Sequence, residues 1–481
     1  MSYKHGIYNG EVATSLAPMT QTDSGLIVAF GTAPVHLASD PAAVNTPVLC
    51  YTYKEAVAAF GYSDEWDKYT LCEAMKTHFA LFNMAPIVLV NVLDKDSHKA
   101  AVTQAECDLN NKVGIITDPA LLEGIKVYAA TDGEALVEDT DYTAAHDDKG
   151  NLVITALAGG VIASASKVYV SYTKLTPSTV TTADIVGGID TVTNKAEGME
   201  LIDEIYPRFG LVPGIIIAPG WSHNVEVAAV MKAKAHNICG HFNAIAICDI
   251  PTETVKSYTA ASEWKDANIG ADEDCILCWP LLKQGEEVFH LSTQLASVMN
   301  YTDSQHDDIP YYSPSNKPLQ ANGACLADGT EVYLNNAQAA YLNGQGVVTA
   351  LNFIGGWRSW GNRTTAYPSN TDVKDNFIPI RRMFNWVGNT LITSFWSRID
   401  DPTNKRLVET IVDSANIWLN GLTAKGALLG GRVEFREDEN TTTGLMDGIT
   451  YFHVYITPPS PAREIHFVQE YDPDYLSALF S

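Results

Sequence analysis

The last fifty residues constrain this chain most. Residues 430 to 435 place Val433 and Phe435 on one face and Arg432 and Glu434 on the other. Residues 449 to 456 set Ile449, Tyr451, His453 and Tyr455 against Thr450, Phe452, Val454 and Ile456. Alternation of this kind specifies half-buried strands. A PPSP run at 458 to 461 then stiffens the exit, and Ile465, Phe467, Gln469 and Tyr471 alternate with Glu464, His466 and Glu470. A two-stranded hairpin is marginal alone and its edges invite pairing. We therefore expect residues 461 to 481 to be an arm whose strand (Ile465, Phe467, Gln469, Tyr471) adds to a neighbouring molecule's sheet. The expected acceptor residues are Val433, Phe435, Tyr451, His453 and Tyr455.

Upstream the pattern changes. Leu26 to Phe30 is a buried-strand run, Glu55 to Phe60 and Leu71 to Phe82 have helical periodicity, and Pro86 to Leu93 is continuously apolar. Continuous apolar strands alternating with helices imply a sheet covered on both faces, an α/β core. The pattern returns after residue 179, with helices expected at Ala196 to Tyr206, Val225 to Ala235 and Leu291 to Met299. Strands are expected at Gly214 to Ala218, Ala244 to Asp249, Cys275 to Pro280 and Val347 to Phe353. Between 95 and 178 helical periodicity is absent. Short strands near Val127, Leu152 to Thr155 and Val168 to Tyr172 are separated by Thr131-Asp132-Gly133, Asp148-Lys149-Gly150 and Gly159-Gly160, which predicts an inserted β-sandwich.

From 355 to 460 a second compact unit, α+β in class, is expected. Ile380, Phe384, Val387, Leu391 and Phe395 share one helical face, and Asp401-Pro402 has the form of a cap opening a second helix through Leu407, Ile411, Ala415, Trp418 and Leu422. The expected organisation is thus an arm at 1–20, a core at 21–94 and 179–354, the insertion at 95–178, the α+β unit at 355–460 and the arm at 461–481.

Four segments carry a resemblance. They are His5-Gly6-Ile7-Tyr8-Asn9-Gly10-Glu11-Val12, the YYSPSNKPL run at 311 to 319, Trp360-Gly361-Asn362-Arg363-Thr364 with Ile380-Arg381-Arg382, and the closing Arg463 to Asp472 strand. In their order and spacing the chain resembles the contractile tail sheath proteins of phages and phage-tail-like bacteriocins. The resemblance implies a subtilisin-like core and a subunit that polymerises around a tail tube and contracts to drive it through a target cell envelope. It implies that the N-terminal arm (Ile7, Tyr8, Val12) and the C-terminal arm are exchanged between subunits. The implied partners are further copies of the chain, the tail tube protein, and baseplate and tail terminator proteins, in a particle assembled in the bacterial host cytoplasm.

Composition limits the alternatives. A net charge of -26, from 57 acidic against 31 basic residues, repels phosphate backbones and argues against nucleic-acid binding. The densest apolar runs are broken by Pro213, Pro219, Gly240 and His241, so no membrane insertion is expected, and the opening MSYKHGIYNG lacks the apolar segment of a secretory signal. We expect no cofactor and no metal. His236, Cys239, His241 and Cys248 are zinc-binding types, but their spacing fits no common finger and core packing is the simpler reading. Cys275 and Cys278 lie within an apolar strand, away from the helix N-terminus that would favour a thiolate. A subtilisin-like sheet raises a hydrolase alternative centred on Ser222 and His223, which a helix-capping serine explains as well. Trp357, Arg358, Trp360 and Arg363 are candidate interface anchors, since Trp and Arg dominate interface energetics; a domain-junction core is the competing reading.

Overall fold

A computed structural model describes residues 18–480. The N-terminal arm candidates Ile7, Tyr8 and Val12 lie outside the described residues. The centre is an eight-stranded sheet, in the spatial order Trp357–Trp360, Val347–Asn352, Cys275–Cys278, Ile245–Asp249, Ile215–Ile217, Ile27–Gly31, Ile87–Asn91 and Val48–Cys50. The six inner strands are parallel and the two edge strands antiparallel. Ile27–Gly31, Ile87–Asn91, Ile245–Asp249 and Cys275–Cys278 are buried at every residue, as parallel strands covered on both faces require. Among the covering helices, Val225–Ala235 starts with Asn224 accepting from the Glu226 amide, and Leu291–Ser304 is buried around most of its circumference. Two of its polar residues bond across the core: Asn300 donates to the Gly25 carbonyl at 2.9 Å and Gln294 to that of Gln320 at 2.9 Å.

Residues 99–175 form two three-stranded sheets, one of Lys99–Asp108, Lys167–Leu175 and Lys126–Tyr128, the other of Val113–Ile116, Leu152–Ala156 and Tyr142–His146. They enclose a core of their own that includes Val127, Tyr142, Leu152, Ile154, Val168 and Val170. The chain enters and leaves at one point, because Lys99 pairs with Leu175 and the Thr176 amide donates to the His98 carbonyl at 2.9 Å.

A third core joins helices Ile378–Phe395 and Lys405–Ala424 to the antiparallel hairpin Gly430–Glu434 with His453–Thr457, through Met383, Trp386, Ala415, Leu419, Leu422 and Val433. Three expectations change, two of them in this half. The strand Trp357–Trp360 belongs to the edge of the central sheet, so the α+β unit begins after it. The second helix starts at Lys405, because the Asn404 side chain, accepting from the Leu407 amide, caps it in place of Asp401. Upstream, most of the segment expected as one helix from 196 to 206 is a 3-10 helix, Gly198–Glu204, leading into a short α-helix, Ile205–Phe209.

The third unit is locked to the central one by buried charge. Arg382, 4% exposed, grips Asp303, 2% exposed, and also donates to the Ser24 carbonyl at 3.0 Å. Residues 20–24 follow the same helix, where Trp386 donates to the Thr22 carbonyl at 2.8 Å and the Ser394 hydroxyl accepts from the Thr20 amide at 2.8 Å. No helix among the described residues is long and apolar enough to cross a membrane.

Candidate functional site

The terminal hairpin has two unequal edges. Val433 stands opposite Val454, and the Asn416 side chain, reaching from the helix, accepts from the Val433 amide at 2.8 Å and donates to its carbonyl at 3.0 Å. In an antiparallel pair, a residue whose backbone groups point out of the ladder faces one that does the same. Asn416 thus fills the outer edge at Val433, while Val454 and, by alternation, Ile456 present their backbone groups along the His453–Thr457 edge. No strand among the described residues occupies that edge.

The expected acceptor set divides between the two faces of this hairpin. Val433 packs with the third core alongside Phe452, Val454 and Ile456, and the Phe435 and Phe452 rings lie 5.5 Å apart. His453 and Tyr455 share the opposite face with Glu434 and Arg432, whose guanidinium lies 3.8 Å over the Tyr455 ring. Phe435 and Tyr451 fall outside the ladder; the Tyr451 amide is held by the Asn440 side chain at 2.8 Å. Alternation alone left open which apolar face Val433 joins, because the turn sets the register.

Beyond the prolines the tail leaves its own chain. Residues 461–472 have no regular secondary structure and pair with no described strand, and 462–472 are exposed, with Phe467 90% and Val468 93% exposed. Ile465, Gln469 and Tyr471 are exposed with them, and Pro473–Phe480 closes the described chain as a 3-10 helix.

Three of the sequence segments singled out above converge on one cleft of about 850 Å³: 311–317, 360–363 and 459–464 line it together. Gly361 holds φ +142, and a Cβ there would come within 2.8 Å of the Asn343 side-chain oxygen and 3.0 Å of the Val348 Cα, so the tight passage requires glycine. The four anchor candidates part company. Trp357 is buried in the central core, which withholds it from any partner of the isolated chain. Arg358 donates to the carbonyls of Ile354 at 3.2 Å and Asn316 at 2.9 Å. Trp360 and Arg363 line the cleft, with the Arg363 guanidinium 4.4 Å from the Tyr367 ring and 3.7 Å from that of Phe377.

The residues considered for chemistry have separate partners. Ser222 is 1% exposed and donates to Asp249 at 3.0 Å, a carboxylate it shares with Ser292, so its hydroxyl is not aligned with an imidazole base. Burial holds the neighbouring His223 below its ordinary pKa. His236 lies between Asp272 and Asp274, whose hydrogen bonds raise it to about 10. Cys239 donates to the Asp203 carbonyl, His241 packs edge-on against Trp396, and Cys248 is buried beside Met231. The Cys278 thiol is pushed up by burial. Sequence reading did not anticipate a His290 imidazole 2.7 Å from Glu73, two residues 217 positions apart.

The tail sheath protein of Burkholderia phage BcepMu is 27% identical to this chain over 499 residues, covering 99% of this chain and 98% of the relative. Over nearly its whole length this chain is similar to a tail sheath protein. The major tail sheath protein of Serratia phage KSP20 is 26% identical over 148 residues, 30% of this chain and 36% of that one. Among solved structures, the sheath complex of the extracellular contractile injection system PVC in its contracted state matches with a TM-score of 0.60 at 14% identity, over 98% of this chain and 99% of that one. The helical sheath of the anti-feeding prophage in its contracted state matches with a TM-score of 0.57 at 15% identity, over 98% and 100%. At such identities these likenesses establish a shared fold. No family model matches the chain.

Proposed function

We propose that this chain is the repeating subunit of a contractile tail sheath, a structural protein that polymerises around a tail tube and drives it through a cell envelope by repacking its subunits. The observation that carries the reading is the exposure of Ile465, Phe467, Val468 and Tyr471 on a tail that pairs with no described strand, in a chain whose hairpin has no described strand on its His453–Thr457 edge. An apolar strand without a sheet is unfavourable in water and satisfied by β-addition to another copy. Whole-length similarity to a tail sheath protein supports the same conclusion.

In this reading the His453–Thr457 edge receives an arm from a neighbour, and residues 1–20 supply a further strand. Backbone hydrogen bonds in such joints tolerate rotation of the units they tether, so the mesh persists while the cores slide and repack. A lower-energy contracted lattice, with no nucleotide chemistry, supplies the work. The six parallel strands support a subtilisin-like core. The closed β-unit, with its own core and adjacent ends, supports an insertion at 95–178. Tail tube, baseplate and terminator proteins complete the set of partners, in a particle assembled within the bacterial host. Negative-stain microscopy of the purified chain tests the proposal. Hollow cylinders are expected, and a persistently monomeric chain at high concentration sinks it.

A further inference from the structure

The cleft at the root of the tail is unusual in its charge. In a chain with 57 acidic and 31 basic residues, just over half of the described lysines and arginines pair with a carboxylate. Lys317, Arg358 and Arg363 have neutral partners among the described residues: Lys317 sits 5.2 Å over the Tyr312 ring, Arg358 bonds backbone carbonyls, and Arg363 bonds Asn376 between two rings. Lys317 and Arg363 line the cleft itself, and its one lining carboxylate, Glu464, is engaged by Arg463 at 2.9 Å. Burial and the adjacent Arg358 cation lower the Lys317 pKa, and burial with Arg463 nearby lowers that of Arg363. Half-buried cations that repel one another and lack a counter-charge create a site for an anion.

We propose that this cleft receives the acidic end of another copy's tail, Glu470-Tyr471-Asp472-Pro473-Asp474, with the carboxylates against Lys317 and Arg363 and the Tyr471 ring among Tyr312, Trp360 and Tyr367. Three arguments select this occupant. Its three acids are exposed in the single chain and complement the cleft in sign. It begins at the last two residues of the strand proposed to pair between copies and runs on beyond it. The cleft also abuts the hairpin, since Gly426 and Pro459 line it and the ladder ends at Gly430 and Thr457. The inference rests on the self-assembly reading and adds to it an electrostatic lock beyond the backbone-paired strand.

The test is fluorescence anisotropy with a labelled synthetic peptide of residues 465–481 added to the full chain at a concentration below that of assembly. Binding is expected to weaken about tenfold or more in Lys317→Glu, and similarly when the peptide carries Glu470→Lys, Asp472→Lys and Asp474→Lys. The two changes together should recover most of the loss, and added salt should weaken the wild-type pair. Circular dichroism of each variant verifies folding. Carbodiimide should couple Lys317 to a tail carboxylate of the peptide. Binding indifferent to both charge reversals, coupling of Lys317 elsewhere, or no binding overturns the proposal. Stronger, Lys317-dependent capture of a peptide of residues 1–17 overturns it too, assigning the cleft to the other arm. A chain that forms no cylinders, yet binds the tail peptide through Lys317, counts against the sheath reading and leaves the cleft assignment standing.

Discussion

Replacing Arg382 with methionine probes the joint between the central sheet and the C-terminal helices. Arg382 donates to Asp303 through both terminal nitrogens, at 3.1 Å and 2.5 Å, and the Ser24 hydroxyl donates to the same carboxylate at 2.9 Å. Both ionised residues are almost wholly enclosed, and Asp23 and Asp308 nearby add negative charge to the pocket. Without the guanidinium, Asp303 keeps one hydroxyl donor in a site that water barely reaches. Removing one partner of a buried pair costs about 3–5 kcal/mol, chiefly through the charge left behind. Substituting both partners with apolar residues is far milder, so Arg382→Met with Asp303→Leu should recover at least half of the loss. Urea unfolding of wild type, both single variants and the double variant yields the coupling as a double-mutant cycle, with the transition followed separately for each unit because a chain of this size need not unfold in one step. A single-variant loss below about 1 kcal/mol, or strict additivity in the double variant, refutes the argument that this pair fastens the two units.

Phe467→Pro should leave thermal melting of the monomer unchanged, because residue 467 is exposed and unpaired, and should block polymerisation, since proline removes a ladder donor; cylinders like those of wild type by electron microscopy would show that another segment joins the subunits. Deleting residues 462–481 should give a folded chain that does not polymerise, and a cooperative melt with a monomer peak on gel filtration checks it. Burial alone would lower the His290 pKa, but the Glu73 carboxylate overrides it and raises the imidazole to about 9. That contribution is complete below the ordinary histidine value and is lost as pH rises from there through about 9. Burial lowers His36 to about 3 and His78 to about 4, so their contribution is lost in the opposite direction, as pH falls below the ordinary value. Stability should therefore peak between these limbs, and denaturation across pH should show a flatter alkaline limb in His290→Gln.

The sequence disclosed the elements whose stability comes from apolar periodicity. Ile27–Gly31, Ile245–Asp249 and Val225–Ala235 fall where their patterns put them. The helix Tyr258–Asn268 went unnoticed because its buried face is made of Ala261, Ser262 and the stem of Lys265, whose ammonium donates to the carbonyls of Gln345 and Tyr367. Lys99–Asp108 is polar and alanine-rich, with a bulge between Val102 and Ala105, and is a strand because Lys167–Leu175 pairs with it. The apolar residues of the exposed tail could be picked out beforehand because alternation and prolines are local signals. The plug at Asn416 and the convergence of 311–317, 360–363 and 459–464 on one cleft are tertiary facts, written in no window of sequence.

Asn416 sets the valence of the molecule. An open two-stranded ribbon has two sticky edges, and a monomer of that kind stacks without limit into sheets. Here the side chain imitates an incoming strand at Val433, with one donated and one accepted hydrogen bond, and closes that side from within. In the proposed assembly the His453–Thr457 edge is then the side of this hairpin left to receive a neighbour's arm. On the proposed reading, a monomer with one hairpin edge closed would build threads of defined connectivity in place of an aggregate, and a lattice woven from such threads could change pitch without losing count of its links.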